Sequence, residues 1–96
     1  MREKETELKL KNAVQRHDGI AVKFVSPGYD GMPDRLLLFP GGRMGFVEVK
    51  APGKKPRPLQ EARHRMLRRL GFKVYVLDRE EDIGEIIDEI RENGGR

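Results

Sequence analysis

Cysteine is absent from these 96 residues, which excludes disulfides, thiolate metal ligands and cysteine nucleophiles. Apolar residues are also scarce, 36% against 38% charged, so any core must be thin. No apolar stretch approaches the roughly 18 residues of a membrane span. The terminus Met1-Arg2-Glu3-Lys4 lacks the apolar segment of a signal peptide. The expectation is a soluble, cytoplasmic protein with no membrane contact. The length allows one domain over 1–96, and repeats, low-complexity segments and internal linkers are absent. The two histidines, His17 and His64, lack ligand-like spacing, so neither is assigned a metal or a catalytic role. The glycine-rich Pro40-Gly41-Gly42-Arg43 joins two strand-like runs and lacks the strand-to-helix context of a phosphate loop.

Charge is present in abundance and unevenly placed. Residues 43–73 carry ten basic and two acidic side chains, whereas 74–96 carry three basic and eight acidic. A basic block of that density suits a polyanion such as a nucleic-acid backbone.

The apolar spacing predicts a helix over 2–17, with Glu3, Glu7, Leu10 and Val14 on one stripe and Leu8 outside it, exposed or against another chain. Gly19 ends it. Ile20–Val25 reads as a strand, Ser26–Pro33 as a loop, and Arg35–Phe39 as a strand covered on both faces. After the turn, Met44–Lys50 returns as an antiparallel partner. Leu59, Ala62, Met66, Leu67 and Leu70 mark a second helix, entered by Pro58 and stopped by Gly71. Phe72–Leu77 is a fourth strand, parallel to the third through a right-handed crossover. Ile83, Ile86, Ile87 and Ile90 give a last helix closed by Asn93-Gly94-Gly95. The expected fold is α/β, of order αβββαβα around a four-stranded mixed sheet.

The chemistry lies in Pro33-Asp34 and Glu48-Val49-Lys50. Strand alternation sends Glu48 and Lys50 to one face, and hairpin pairing brings Asp34 beside them. Asp34 and Glu48, with the carbonyl of Val49 as a third oxygen, suit a hard divalent cation. Such a cation can activate water against a phosphodiester, with Lys50 placing positive charge near the water or the phosphate. Glu7 on the helix stripe is a further acid for the site; its alternative is the rim, hydrogen-bonded to Lys11. Gln60 opens the second helix and is placed to orient a water or phosphate. Lys54, Lys55 and Arg57 follow Lys50 directly and are candidate phosphate contacts. Arg63, Arg65, Arg68 and Arg69 extend that track unless they lie on a solvated outer face of the helix, and Tyr29 is a candidate stacking partner for a splayed base, with packing against the loop as its alternative.

Pro27-Gly28-Tyr29-Asp30-Gly31-Met32-Pro33-Asp34-Arg35, followed by Phe46-Val47-Glu48-Val49-Lys50 and Pro58-Leu59-Gln60, closely resembles the VRR-NUC domain of the PD-(D/E)XK nuclease superfamily. The resemblance runs from Glu7 to about Leu77. It implies a restriction-endonuclease-like core, with Asp34 and Glu48 as metal ligands, Glu7 as the helix acid, Lys50 as the catalytic lysine and Gln60 as the helix-entry glutamine. It also implies Mg²⁺ or Mn²⁺ as cofactor, DNA as substrate, a free-standing form found in phages and bacteria, and a homodimer, for which Leu8 or apolar residues of the last helix are the candidate contact surface. The resulting expectation is an endonuclease for branched DNA such as four-way junctions. Flap- or end-directed cleavage and a non-catalytic nucleic-acid-binding module are the alternatives. The acidic last helix, with Glu81, Asp82, Glu85, Asp88, Glu89 and Glu92, is a candidate surface for a replication or recombination partner.

Overall fold

The computed structural model describes residues 3–92. The first helix, α1 (Glu3–Arg16), has Glu3 and Glu5 in its first turn and Arg16 in its last, complementing the helix dipole. Thr6, Leu10, Ala13 and Val14 form its buried stripe. Asp18 closes it in the left-handed conformation (φ 65°), while the Gly19 N–H reaches back to the Val14 carbonyl. Leu8 is 58% exposed.

Four strands follow the expected order: β1 (Ile20–Lys23), β2 (Arg35–Phe39), β3 (Arg43–Val49) and β4 (Val74–Leu77), with α2 (Pro58–Arg69) between the last two. They lie side by side in sequence order. β1, β2 and β3 pair antiparallel, and β4 joins β3 in parallel. A short 3₁₀ turn (Glu80–Asp82) then leads into α3 (Ile83–Glu92). The predicted stop at Asn93-Gly94-Gly95 lies outside the described residues.

The sheet carries unequal layers. On one face Leu37, Phe39, Val47, Val49 and Leu77 pack with Leu10, Ala13 and Val14 of α1 and all four α3 isoleucines. Gly45 permits the close approach of α3, since a Cβ there would lie 2.6 Å from Ile90 Cδ1. On the other face a smaller cluster gathers Phe46, Leu67 and Val74, flanked by Phe24, Leu36, Met44 and Met66. Three phenylalanines continue edge-to-face across it, Phe24 to Phe46 at 5.7 Å and Phe46 to Phe72 at 5.9 Å.

This imbalance corrects two expectations. β2 is not covered on both faces: Leu37 and Phe39 are buried, but Leu36 and Leu38 are only half-buried. α2 packs chiefly with β4, and its Leu67 joins Phe46 and Val74, so the β1–β2 half of that face is less completely covered. The α3 isoleucines lie inside the chain's own core and are not available to a second copy. Among the described residues no helix is long and apolar enough to cross a membrane.

Candidate functional site

Strand register creates the site. Arg35 pairs with Val47, so one step beyond the end of β2 Asp34 stands opposite Glu48, on the same sheet face by alternation. Asp34 remains tied to both neighbours: its carbonyl accepts from the Phe24 N–H at 2.9 Å, and its Oδ1 accepts from the Val49 N–H at 3.2 Å. A strand residue directs its N–H and C=O to the same edge, so the Val49 carbonyl also faces the Asp34 side. Lys50, whose N–H goes to Leu77 on the opposite edge at 2.9 Å, follows immediately.

Glu48 is the most enclosed carboxylate here, 3% exposed. An isolated buried carboxylate carries a large desolvation cost, and three groups converge on this one. Gln60 Nε2 donates to its Oε2 at 3.2 Å. Lys50 Nζ lies 3.9 Å from the same oxygen. His64 Nε2 stands 3.7 Å from Oε1, beyond hydrogen-bond range. Gln60 is fixed at both ends, because its Oε1 accepts the Arg57 N–H at 2.8 Å at the helix entry.

Asp34 lies in a crowd of like charge. Burial first, then the Glu48 and Glu7 carboxylates, push its carboxyl from 3.8 up to about 6, against the lowering effect of the Val49 N–H. One carboxylate oxygen each from Glu3, Glu7 and Asp34 lies within 4.8 Å of the others. Glu7 is half-buried and faces Arg35, with Oε1 3.6 Å from the guanidinium; the ion pair with Lys11 is not formed. Glu3 is exposed, yet one helical turn before Glu7 it joins this group. The site therefore concentrates acidic oxygens at one end of the sheet, an arrangement whose mutual repulsion a bound cation relieves.

The expected nucleic-acid residues divide. Lys54, Lys55 and Arg57 are exposed in the loop after Lys50. Arg63 is half-buried; its guanidinium lies 3.9 Å from the centre of the Tyr29 ring and its Nε donates to the Asp30 carbonyl at 2.7 Å. Tyr29 also reaches the Met66 sulfur at 3.1 Å. This pair clamps the glycine loop onto α2 and leaves one ring face of Tyr29 covered. Arg68 reaches the Val74 carbonyl at 2.7 Å, tying α2 to β4. His64, assigned no role on spacing between histidines, stands beside Glu48. The informative spacing is its position four residues after Gln60, one turn along the same helix face.

Comparison with known proteins agrees with this fold. The model of the VRR-NUC domain matches residues 2–80. The chain is similar to "Putative nuclease p44" of Acyrthosiphon pisum secondary endosymbiont phage 1, 48% identical over 87 residues, covering 91% of this chain and 92% of that one. It also superposes on a solved VRR-NUC domain with a TM-score of 0.83 and 30% identity, over 90% of this chain and 94% of the other. With the family model matching residues 2–80 and both relatives matched over nine-tenths or more of this chain, the chain belongs to the VRR-NUC domain family.

Proposed function

We propose that this chain is a nuclease that hydrolyses DNA phosphodiesters, and more finely a Mg²⁺- or Mn²⁺-dependent endonuclease for branched DNA acting as a homodimer. The observation that carries the reading is the convergence of Asp34, Glu48 and Lys50 at one end of the β2–β3 hairpin. The residues fit a divalent cation. The Glu48 Oε1 is buried with no hydrogen-bond partner, and Asp34 is held up near 6 by burial and by the carboxylates around it. Asp34, Glu48 and the Val49 carbonyl would hold the ion, with Glu7 at its margin. When bound, a divalent cation makes water a competent nucleophile at neutral pH and offsets charge on the scissile phosphate.

The chain's own groups do the rest. Lys50 presents a fixed positive charge beside Glu48, placed to stabilise charge developing on the phosphate. Gln60, with both ends of its amide engaged, acts by holding Glu48 in orientation. Lys54, Lys55 and Arg57 guide the DNA backbone into position without reading sequence. One site cuts one strand, so paired cuts across a symmetric junction require a second copy related by a two-fold axis. The acidic exposed face of α3 is the surface left for a protein partner from replication or recombination.

The test is cleavage of four-way-junction, flap and linear duplex DNA with Mg²⁺, Mn²⁺ or EDTA, comparing the wild type with Asp34→Ala. Metal-dependent paired nicks on the junction, absent in the variant, are expected. Cleavage of flaps or ends alone retains the chemistry and removes the junction role. Binding without cleavage on every substrate replaces the nuclease with a binding module.

A further inference from the structure

His64 lies on α2, one helical turn beyond Gln60, and both side chains point to Glu48 on β3. The two contacts divide the carboxylate. Gln60 donates to Oε2 at 3.2 Å, while His64 Nε2 faces Oε1 at 3.7 Å. His64 is 2% exposed. Both His64 Nε2 and Glu48 Oε1 are buried without a hydrogen-bond partner. Buried polar atoms left unpaired destabilise the fold, and here two of them face each other with no hydrogen-bond partner. A donor and an acceptor so placed have a shared purpose.

We infer that His64 is a positioning residue for Glu48, donating from Nε2 to Oε1 and fixing the plane of the carboxylate together with Gln60. The inference deepens the reading of Glu48 as a metal-holding group and rests on it. With the proton on Nε2, the imidazole donates to the nearer oxygen. A modest rotation of either side chain brings the pair into range, as sites loose in the free protein tighten on loading. Two donors from one helix then leave each Glu48 oxygen a further lone pair for a ligand. Loss of a hydrogen-bond partner behind a ligating carboxylate typically lowers metal affinity 10–100-fold.

The experiment titrates Mn²⁺ into the full chain at fixed pH, by calorimetry and by the spin-resonance signal of free Mn²⁺, for wild type, His64→Gln and His64→Leu. Gln carries an amide nitrogen close to the place of the imidazole Nε2, whereas Leu fills the volume without a donor. The expected result is a roughly tenfold or greater rise in the Mn²⁺ dissociation constant for His64→Leu and a near-wild-type value for His64→Gln. Cleavage should show the same order, as a fall in kcat with KM for DNA unchanged. Should His64→Leu fail to fold, His64→Asn takes its place, since its shorter amide does not reach Oε1, and the same rise is expected. Wild-type affinity in the Leu or Asn variant removes the positioning role while leaving the metal reading intact. Equal losses in His64→Gln and His64→Leu assign His64 to packing and also overturn it. Absence of Mn²⁺ binding by the wild type overturns the metal reading, and the role of His64 with it.

Discussion

A carboxylate kept among other carboxylates in a partly buried place burdens the fold, and Asp34 is such a group. Its carboxyl rises from 3.8 to about 6 because burial, Glu48 and Glu7 all disfavour the charge. Between those values the folded chain retains a proton that the unfolded chain releases, so stability falls as pH rises through this window. Above pH 6 both states are ionised and the folded state carries the full cost. Asp34→Asn should therefore stabilise the metal-free protein at pH 7.5 by about 1–2 kcal/mol, allowing for solvent screening, and should flatten melting temperature between pH 4 and 6. A wild-type pH profile in the variant would place the titration elsewhere. Lys50→Ala has a different signature: cleavage should be abolished while DNA binding in the presence of Ca²⁺ changes little, as measured by fluorescence anisotropy. Asp34, Glu48 and Lys50 were legible because strand alternation and a short turn determine where they point. His64 was not, since its meaning depends on which helix face meets β3, and that is a property of packing.

At the scale of elements, the two helical contacts with the site differ in kind. α1 presents acids, through Glu3 and Glu7, and α2 presents an amide and an imidazole, through Gln60 and His64. The loop leading into Asp34 is pinned to α2 by Tyr29, Arg63 and a close approach at Gly31. Gly31 has φ +90°, and a Cβ there would stand 2.8 Å from Leu59 Cγ and 3.2 Å from the Leu59 carbonyl oxygen. Gly31→Ala should cost about 1–3 kcal/mol, read by urea denaturation, and should lower kcat by displacing Pro33-Asp34. Unchanged activity would show that the loop is held by Tyr29 and Arg63 alone. The order of helices and strands was readable from periodicity and turn residues, and the parallel crossover followed from the strand–helix–strand order of residues 46–77. The coverage of β2 was not, because Arg35-Leu36-Leu37-Leu38-Phe39 has the same apolar run whether one helix layer lies above it or two. Leu36 and Leu38 are half-buried on the face where α2 packs chiefly with β4.

Across the whole molecule, charge is separated along the chain and the site lies where the basic segment begins. The loop from Ala51 to Arg57 leaves Lys50 directly and carries Lys54, Lys55 and Arg57 exposed, whereas the 3₁₀ turn and α3 carry the acids. Each phosphate neutralised by a side chain releases counterion, so the logarithm of the binding constant falls with the logarithm of salt concentration by roughly 0.9 per contact on duplex DNA. Replacing Lys54, Lys55 and Arg57 together by Ala should therefore weaken binding and make the salt dependence shallower by roughly 2–3 in slope. The three side chains make no hydrogen bond or ion pair with Asp34, Glu48 or Lys50, so Mn²⁺ affinity should stay at the wild-type value. Arg63→Ala should act in the opposite pattern. Its guanidinium is engaged with Tyr29 and the Asp30 carbonyl, so stability should drop while the salt slope is preserved. A triple variant with an unchanged slope, or an Arg63 variant whose slope falls by about one, would move the phosphate track from the loop to the face of α2.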